Sequence, residues 1–231
     1  MKPTHSRWMT GNSPSHFRLL ASFLKTFFKL LYHQLAWSYD WVAAIVSLGK
    51  WQNWIFTVIP FIEGPEVLEI GHGPGHLLLA LSEAGIHIVG LDESPQMSRQ
   101  AHHRILRKGI NPLLTNGLAQ FLPFPDSHFH QVVATFPSEY IYDPSVLAEI
   151  YRILIPGGEL LVLPVAWITG QKWYDRIAAN LFRVTGQSPE AYTPDIVTEV
   201  SKPFQESGFI VRVEISETEN SRILLLHAVK P

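Results

Sequence analysis

Val67-Leu68-Glu69-Ile70-Gly71-His72-Gly73-Pro74-Gly75 is the stretch that decides how this chain is read. An apolar run carrying one acid gives way to glycines at every second position. Such a pattern predicts a buried strand over 66–70, a tight turn, and a helix over 75–84, since His76-Leu77-Leu78-Leu79-Ala80-Leu81 contains no breaker. A glycine turn at a strand-to-helix junction lets a ligand lie against backbone with no Cβ in the way. The same turn also occurs with no ligand, so its meaning depends on the sequence around it.

Downstream, the pattern alternates. Strands are expected at 86–91, 112–115, 131–136 and 159–164. Helices are expected at 94–108, with Ser94 as N-cap ahead of Pro95, at 144–154, stopped by Pro156-Gly157-Gly158, and at 171–184 and 194–207. Two closing strands, 209–215 and 222–229, are joined too tightly for a crossover helix and should pair antiparallel. The fold class that follows is α/β, a doubly wound, seven-stranded, mostly parallel sheet. Upstream, Phe17, Leu20, Leu24, Phe27, Phe28 and Leu31 recur at helical spacing, with Arg18, Lys25 and Lys29 opposite. This basic amphipathic helix, 17–31, either docks on the domain or lies on an anionic membrane surface. Two further helices are expected before Pro60. The division expected is an N-terminal helical cap, 1–62, and a sheet domain, 63–231.

Bulk composition narrows the function classes. The 231 residues are 46% hydrophobic and 16% charged, which suits a folded domain rather than a disordered chain. A formal net charge of −2 gives no general reason to bind nucleic acid. With no cysteine, disulfides, thiolate metal sites and cysteine nucleophiles are excluded, and a reducing cytoplasm is the expected compartment. Met1 to Pro14 lacks a signal-peptide pattern, and no apolar run reaches the ~18–20 residues that cross a bilayer. Histidine pairs such as His72/His76 and His128/His130 have no partner acid at ligand spacing, so no metal is expected.

Four segments occur in a telling order: Glu69-x-Gly71-x-Gly73-x-Gly75, Asp92, Leu122-Pro123-Phe124-Pro125-Asp126, and Ala148-Glu149-Ile150-Tyr151-Arg152-Ile153-Leu154-Ile155-Pro156-Gly157-Gly158. Together they resemble class I S-adenosylmethionine-dependent methyltransferases, in particular the ubiquinone/menaquinone-biosynthesis type (methyltransferase type 11). The resemblance covers roughly residues 65–231. It implies S-adenosylmethionine as cofactor, held by Glu69, Gly71, His72, Gly73 and Gly75 around its amino-acid part and by Asp92 and Glu93 at the ribose. Met97, Ala119 and Gln120 would lie near the adenine, and Phe136 and Tyr39 close the set. A carboxylate at position 92 can accept two hydrogen bonds from a diol. Its competing role is to cap the Asp92-Glu93-Ser94 turn, and Met97 is as well explained as core.

The resemblance also implies methyl transfer to a small, apolar, aromatic or lipid-like acceptor, with Tyr140, Glu139 and His130 as catalytic candidates. Two departures stand out. Relatives often carry an acid where Leu118 stands, and an acid where His130 stands. Two alternatives therefore remain: a catalytically silent methyltransferase fold acting as an interaction module, and a nicotinamide dehydrogenase. The second needs G-x-G-x-x-G, and its third glycine position is His76.

Overall fold

The computed structural model describes residues 50–169, 194–218 and 220–231. The expected helices 17–31 and 171–184, those before Gly49, and Tyr39 lie outside the described residues. The described chain runs α1 (Trp51–Phe56), a 3-10 turn (Ile59–Phe61), β1 (Val67–Ile70), α2 (His76–Glu83), β2 (Ile88–Asp92), α3 (Pro95–Leu106), β3 (Leu113–Asn116) and β4 (Phe129–Thr135). A second 3-10 turn (Glu139–Tyr142) leads to α4 (Pro144–Ile153), β5 (Leu154–Ile168), α5 (Pro194–Glu206), β6 (Ile210–Thr218) and β7 (Ser221–Val229).

The strands form one seven-stranded sheet in the order β3-β2-β1-β4-β5-β7-β6. β1 pairs parallel with β2 and β4, and β7 pairs antiparallel with both β5 and β6. The expected closing hairpin is therefore present. Apolar residues fill both faces of the strands, as sheets covered on two sides require. Leu68, Val132, Leu160, Val162, Leu224 and Leu226 face Val146, Ile150 and Phe204 of α4 and α5. Val67, Val133, Leu161, Leu163 and Leu225 face Trp54, Leu77, Leu81 and Ile105 of α1, α2 and α3. Each such side chain contributes about 1.5–3 kcal/mol when fully buried. Trp54 and Val58 are themselves fully buried, so the segment just before residue 62 is packed into the sheet domain.

Two prolines shape β5, which is far longer than the stretch 159–164 expected. Pro156-Gly157-Gly158 does not mark the end of α4, which stops at Ile153, nor does it delay the strand, which begins at Leu154. It loops out between the pairs Phe129↔Leu154 and Gln131↔Glu159, pinned by the Gly157 amide on the Lys230 carbonyl at 2.8 Å. Pro164, which has no amide to give, falls where the β5–β7 register slips between Val162 and Val165.

The strand order reverses between β1 and β4, and ligands of open α/β sheets bind outside the carboxyl ends of the strands at such a point. The glycine turn after β1 lies there.

Candidate functional site

The turn is tied down almost atom by atom. The Gly71 amide donates to the Leu91 carbonyl at 2.7 Å, and the Gly75 amide to the His72 carbonyl at 3.0 Å. The Gly73 amide donates to Asp92 Oδ2 at 2.8 Å, and the Gly73 carbonyl meets His72 Nδ1 at 2.7 Å. Arg104, in the last turn of α3, donates to the Pro74 carbonyl at 2.7 Å. A loop fixed from within has its ordering cost met before a ligand arrives.

All three glycines have positive φ, yet the space around them differs. A Cβ on Gly75 would stand 2.6 Å from the Ala101 Cβ, so that glycine lets α2 approach α3. A Cβ on Gly71 would stand 2.7 Å from the Tyr140 hydroxyl. A Cβ on Gly73 would meet nothing within 4 Å, so on that side the backbone faces open space. That space belongs to a cleft lined by Trp51, Ile55, Glu69, Gly73, His76 and Phe136.

Glu69 supplies the unusual electrostatics. It is 1% exposed, and its Oε2 has no hydrogen-bond partner among the described residues. Burial, and then the neighbouring charge of Asp92, push its carboxyl well above the usual range, while a hydrogen bond from the Leu78 amide works the other way. A buried carboxylate with one oxygen unpaired, lining a cleft, is matched to a cationic or N–H-bearing group. Asp92 differs, because both its oxygens are engaged, Oδ2 by Gly73 and Oδ1 by the Ser94 amide at 2.8 Å. The turn-capping role is therefore present. A carboxylate has about four acceptor sites, so two remain for a diol.

The exit of β4 forms the other wall. Phe136 adopts φ of +48°, rare for a bulky residue, and lies outside the strand that was expected to include it. Its ring stacks on Trp51 with centroids 4.1 Å apart. Trp51 carries no sequence signal beyond its aromatic ring and was not among the expected site residues. Tyr140 donates to the Ile70 carbonyl at 3.3 Å. Burial, followed by the charges of Asp92, Glu69 and Glu93, pushes its phenol up, so it stays protonated and can only donate or wall the site near neutral pH. Glu139 is exposed in the same 3-10 turn.

The remaining candidates divide. Ala119 is buried and Gln120 half-buried beside exposed Leu118, on the segment after β3. Met97 is fully buried in the first turn of α3, and Glu93 is exposed just ahead of it. His130 is a correction. It sits at the start of β4, next to Gln131, which pairs with Val67 at the entry of β1, whereas the cleft lies at the exits of both strands. Four residues of strand at about 3.3 Å each separate it from the site, so it cannot reach a reacting group there. Its backbone amide bonds the Glu66 carbonyl at 2.9 Å, and its side chain packs where a Cβ on Gly64 would stand 2.5 Å away.

Two of the sequence motifs prove to be one device. Arg152 forks onto Glu149 at 2.8 Å through both Nε and a terminal nitrogen. It also reaches the Leu122 carbonyl at 3.0 Å, the Phe124 carbonyl at 2.8 Å and Asp126 at 2.7 Å. Glu149 in turn accepts from the Leu122 amide at 2.8 Å. The pair clamps Leu122-Pro123-Phe124-Pro125-Asp126 onto α4. Hydrogen bonds from Arg152 hold Glu149 below its ordinary value, against the effect of burial.

Comparisons with known proteins agree with this geometry. A family model described as a methyltransferase domain matches residues 67–158. The ubiquinone/menaquinone biosynthesis C-methyltransferase of Cupriavidus metallidurans is 30% identical over 175 residues, covering 69% of this chain and 71% of that one. The demethylmenaquinone methyltransferase of Thermus thermophilus is 31% identical over 139 residues, covering 58% and 63%. Among solved structures, a SAM-dependent methyltransferase from Methanosarcina mazei superposes with a TM-score of 0.53 at 23% identity, covering 75% of this chain and 96% of that one. One from Aquifex aeolicus gives 0.55 at 18%, covering 78% and 89%. The structural likenesses establish the fold.

Proposed function

This chain belongs to the S-adenosylmethionine-dependent methyltransferase family that includes the ubiquinone and menaquinone biosynthesis enzymes, and from that premise we propose that it methylates a small apolar or aromatic, lipid-like acceptor. The observation that carries the reading is the cleft itself: an unpaired buried carboxylate oxygen on Glu69 and an open glycine face at Gly73, beside the Trp51–Phe136 stack. The relatives named above act, by their names, on quinone precursors, and an aromatic wall suits such acceptors.

When bound, S-adenosylmethionine supplies an electrophilic methyl group on a sulfonium, passed on by in-line displacement. The residues present fit that cofactor. Glu69 would take its ammonium group, Gly73 would leave room for the amino-acid chain, and Asp92 would offer its remaining acceptor sites to the ribose, with Glu93 beside it. Ala119 and Gln120 would border the adenine, with buried Met97 supporting the start of α3. Phe136 and Tyr140 wall the transfer site. Tyr140, protonated, is a donor and not a base. Glu139 is the residue at this edge suited to take a proton from an acceptor hydroxyl or carbon. Displacement of this kind gains most from alignment and exclusion of water.

A silent interaction module has no use for a buried carboxylate left unpaired, which favours the enzyme. The dehydrogenase alternative is set aside by family membership and by His76 at its third glycine position. No helix among the described residues is long and apolar enough to cross a membrane. A cytoplasmic enzyme whose basic segment 17–31, outside the described residues, meets a membrane surface carrying a lipid-like acceptor fits the proposal. The test is a methylation screen scoring S-adenosylhomocysteine release with quinol-type, phenolic and charged acceptors. Turnover highest on a quinol or phenol supports the proposal, and a charged, water-soluble acceptor as best substrate overturns it.

A further inference from the structure

His72 occupies the middle of the glycine turn, yet it is only 4% exposed. It is packed against β2. A Cβ on Gly90 would stand 2.8 Å from His72 Cδ2 and 2.7 Å from Leu78 Cδ1, so the missing side chain at Gly90 is what makes room for the imidazole. A histidine in this position is not needed for volume alone, since an apolar residue fills buried space at lower cost. What it adds is a hydrogen bond to the turn's own backbone.

The polarity of that bond can be assigned. The Gly73 carbonyl can only accept, so Nδ1, at 2.7 Å, carries the proton. Nε2 of the neutral ring is then an acceptor, and it faces Ser98 Oγ at 3.5 Å. Ser98 Oγ accepts in turn from Asn116 Nδ2 at 2.8 Å, which leaves the serine proton for His72. The other proton of the Asn116 amide goes to the Asp92 carbonyl at 3.1 Å. Every donor in the series Asn116, Ser98, His72 meets an acceptor. Burial lowers the pKa of His72, against the opposing effects of Asp92 and the Gly73 carbonyl, and so favours the neutral ring that the series requires.

We propose that His72 is a positioning residue for the cofactor: its Nδ1–H fixes the Gly73–Pro74 peptide, while the relay from Asn116 through Ser98 holds the ring in the tautomer that can do so. The two peptide groups on either side of Gly73 are thus held from opposite sides, one by Asp92 and the other by His72. Gly73 sits at φ of +53°, and glycine has many other conformations available. Without the histidine bond the carbonyl side of that residue is left to the bonds of Gly75 to the His72 carbonyl and of Arg104 to the Pro74 carbonyl. These close the turn without touching the Gly73 carbonyl, and the open face at Gly73 is held less firmly in one orientation. The inference rests on the reading that this turn binds S-adenosylmethionine.

The test uses the full chain, with S-adenosylhomocysteine binding by calorimetry, cofactor KM and kcat from the methylation assay, and melting curves. The Asn amide nitrogen falls where Nδ1 stands and the Gln nitrogen where Nε2 stands. His72→Asn should therefore keep cofactor affinity within about threefold, whereas His72→Gln and His72→Leu should lose about tenfold, the equivalent of one buried hydrogen bond. The loss should appear mainly in cofactor KM. Ser98→Ala, which leaves the turn untouched, should give a smaller loss of the same kind. The proposal is overturned if folded His72→Leu binds as wild type, or if Asn, Gln and Leu lose affinity equally, which would mark a packing role. Failure of the wild-type chain to bind would sink the cofactor reading itself, before any variant is compared.

Discussion

Replacing Glu69 by Gln should act with opposite sign on the free and the ligand-bound protein. In the free protein the wild-type carboxylate is buried with Oε2 unpaired, and its pKa is raised by burial and by Asp92. An unsatisfied buried polar group costs about 1–3 kcal/mol, more when charged. Gln keeps the shape and can still accept from the Leu78 amide, but its NH2 then stands where Oε2 lacks a partner. The swap removes the buried charge and not the unpaired group, so above the folded pKa the free variant should be more stable by about 1 kcal/mol, or a few degrees in Tm. The pH dependence has a definite sign. A carboxyl whose folded pKa is raised contributes stability that is fully present below the ordinary glutamate value, and that is lost as pH rises through the folded value. The wild type should therefore lose stability over that rise, and Glu69→Gln should not. In the bound protein the variant forfeits a charge-assisted bond to the cofactor ammonium, about 1.5–3 kcal/mol, or roughly 10- to 150-fold in Kd. Melting curves with and without saturating S-adenosylhomocysteine read both effects. A variant that melts lower when free, or binds as tightly as wild type, would refute the assignment of Glu69 to a ligand.

The glycines of the turn separate in the same assays. Gly75→Ala adds a Cβ against Ala101 at positive φ and should cost about 2–4 kcal/mol of stability. Gly73→Ala meets open space, so it should cost only about 1 kcal/mol of stability, the strain of a Cβ at positive φ, yet weaken S-adenosylhomocysteine binding by at least about tenfold. Arg152→Lys should lower Tm nearly as far as Arg152→Ala, because a single ammonium cannot replace the fork that holds Glu149 and two backbone carbonyls. At the far end of the sheet, burial would raise Glu159, but bonds from His227 and Gln131 leave its pKa lowered overall. Its stabilising effect is present above the ordinary glutamate value and lost as pH falls through the folded one. Acid unfolding of Glu159→Gln should therefore be shallower below about pH 4.5 than that of wild type.

Much of the fold was written locally. The alternation of Leu160 to Leu163 between two cores, the cap at Ser94, and the break after Ile70 depend on residues a few positions apart, and period and turn chemistry report them directly. Contacts between distant residues left less trace. Nothing near Gly75 announces Ala101, and nothing near His72 announces that Gly90 makes room for it. The Glu149–Arg152 clamp joined two motifs that in sequence look independent. His130 was different, since its place was legible. It stands at the start of β4, and in an open α/β sheet the chemistry belongs at the other end. The length of β5 was hidden by Pro156-Gly157-Gly158, which reads as a boundary but is a loop-out across which the β4–β5 register shifts, pinned by Lys230.

Calorimetric titration of the full chain with S-adenosylhomocysteine, with NAD as control, probes the cleft itself. The expected result is saturable binding of S-adenosylhomocysteine at one site, lost or sharply weakened in Gly73→Ala, and no binding of NAD. A folded chain that gives no heat with S-adenosylhomocysteine, or that binds NAD instead, would contradict it.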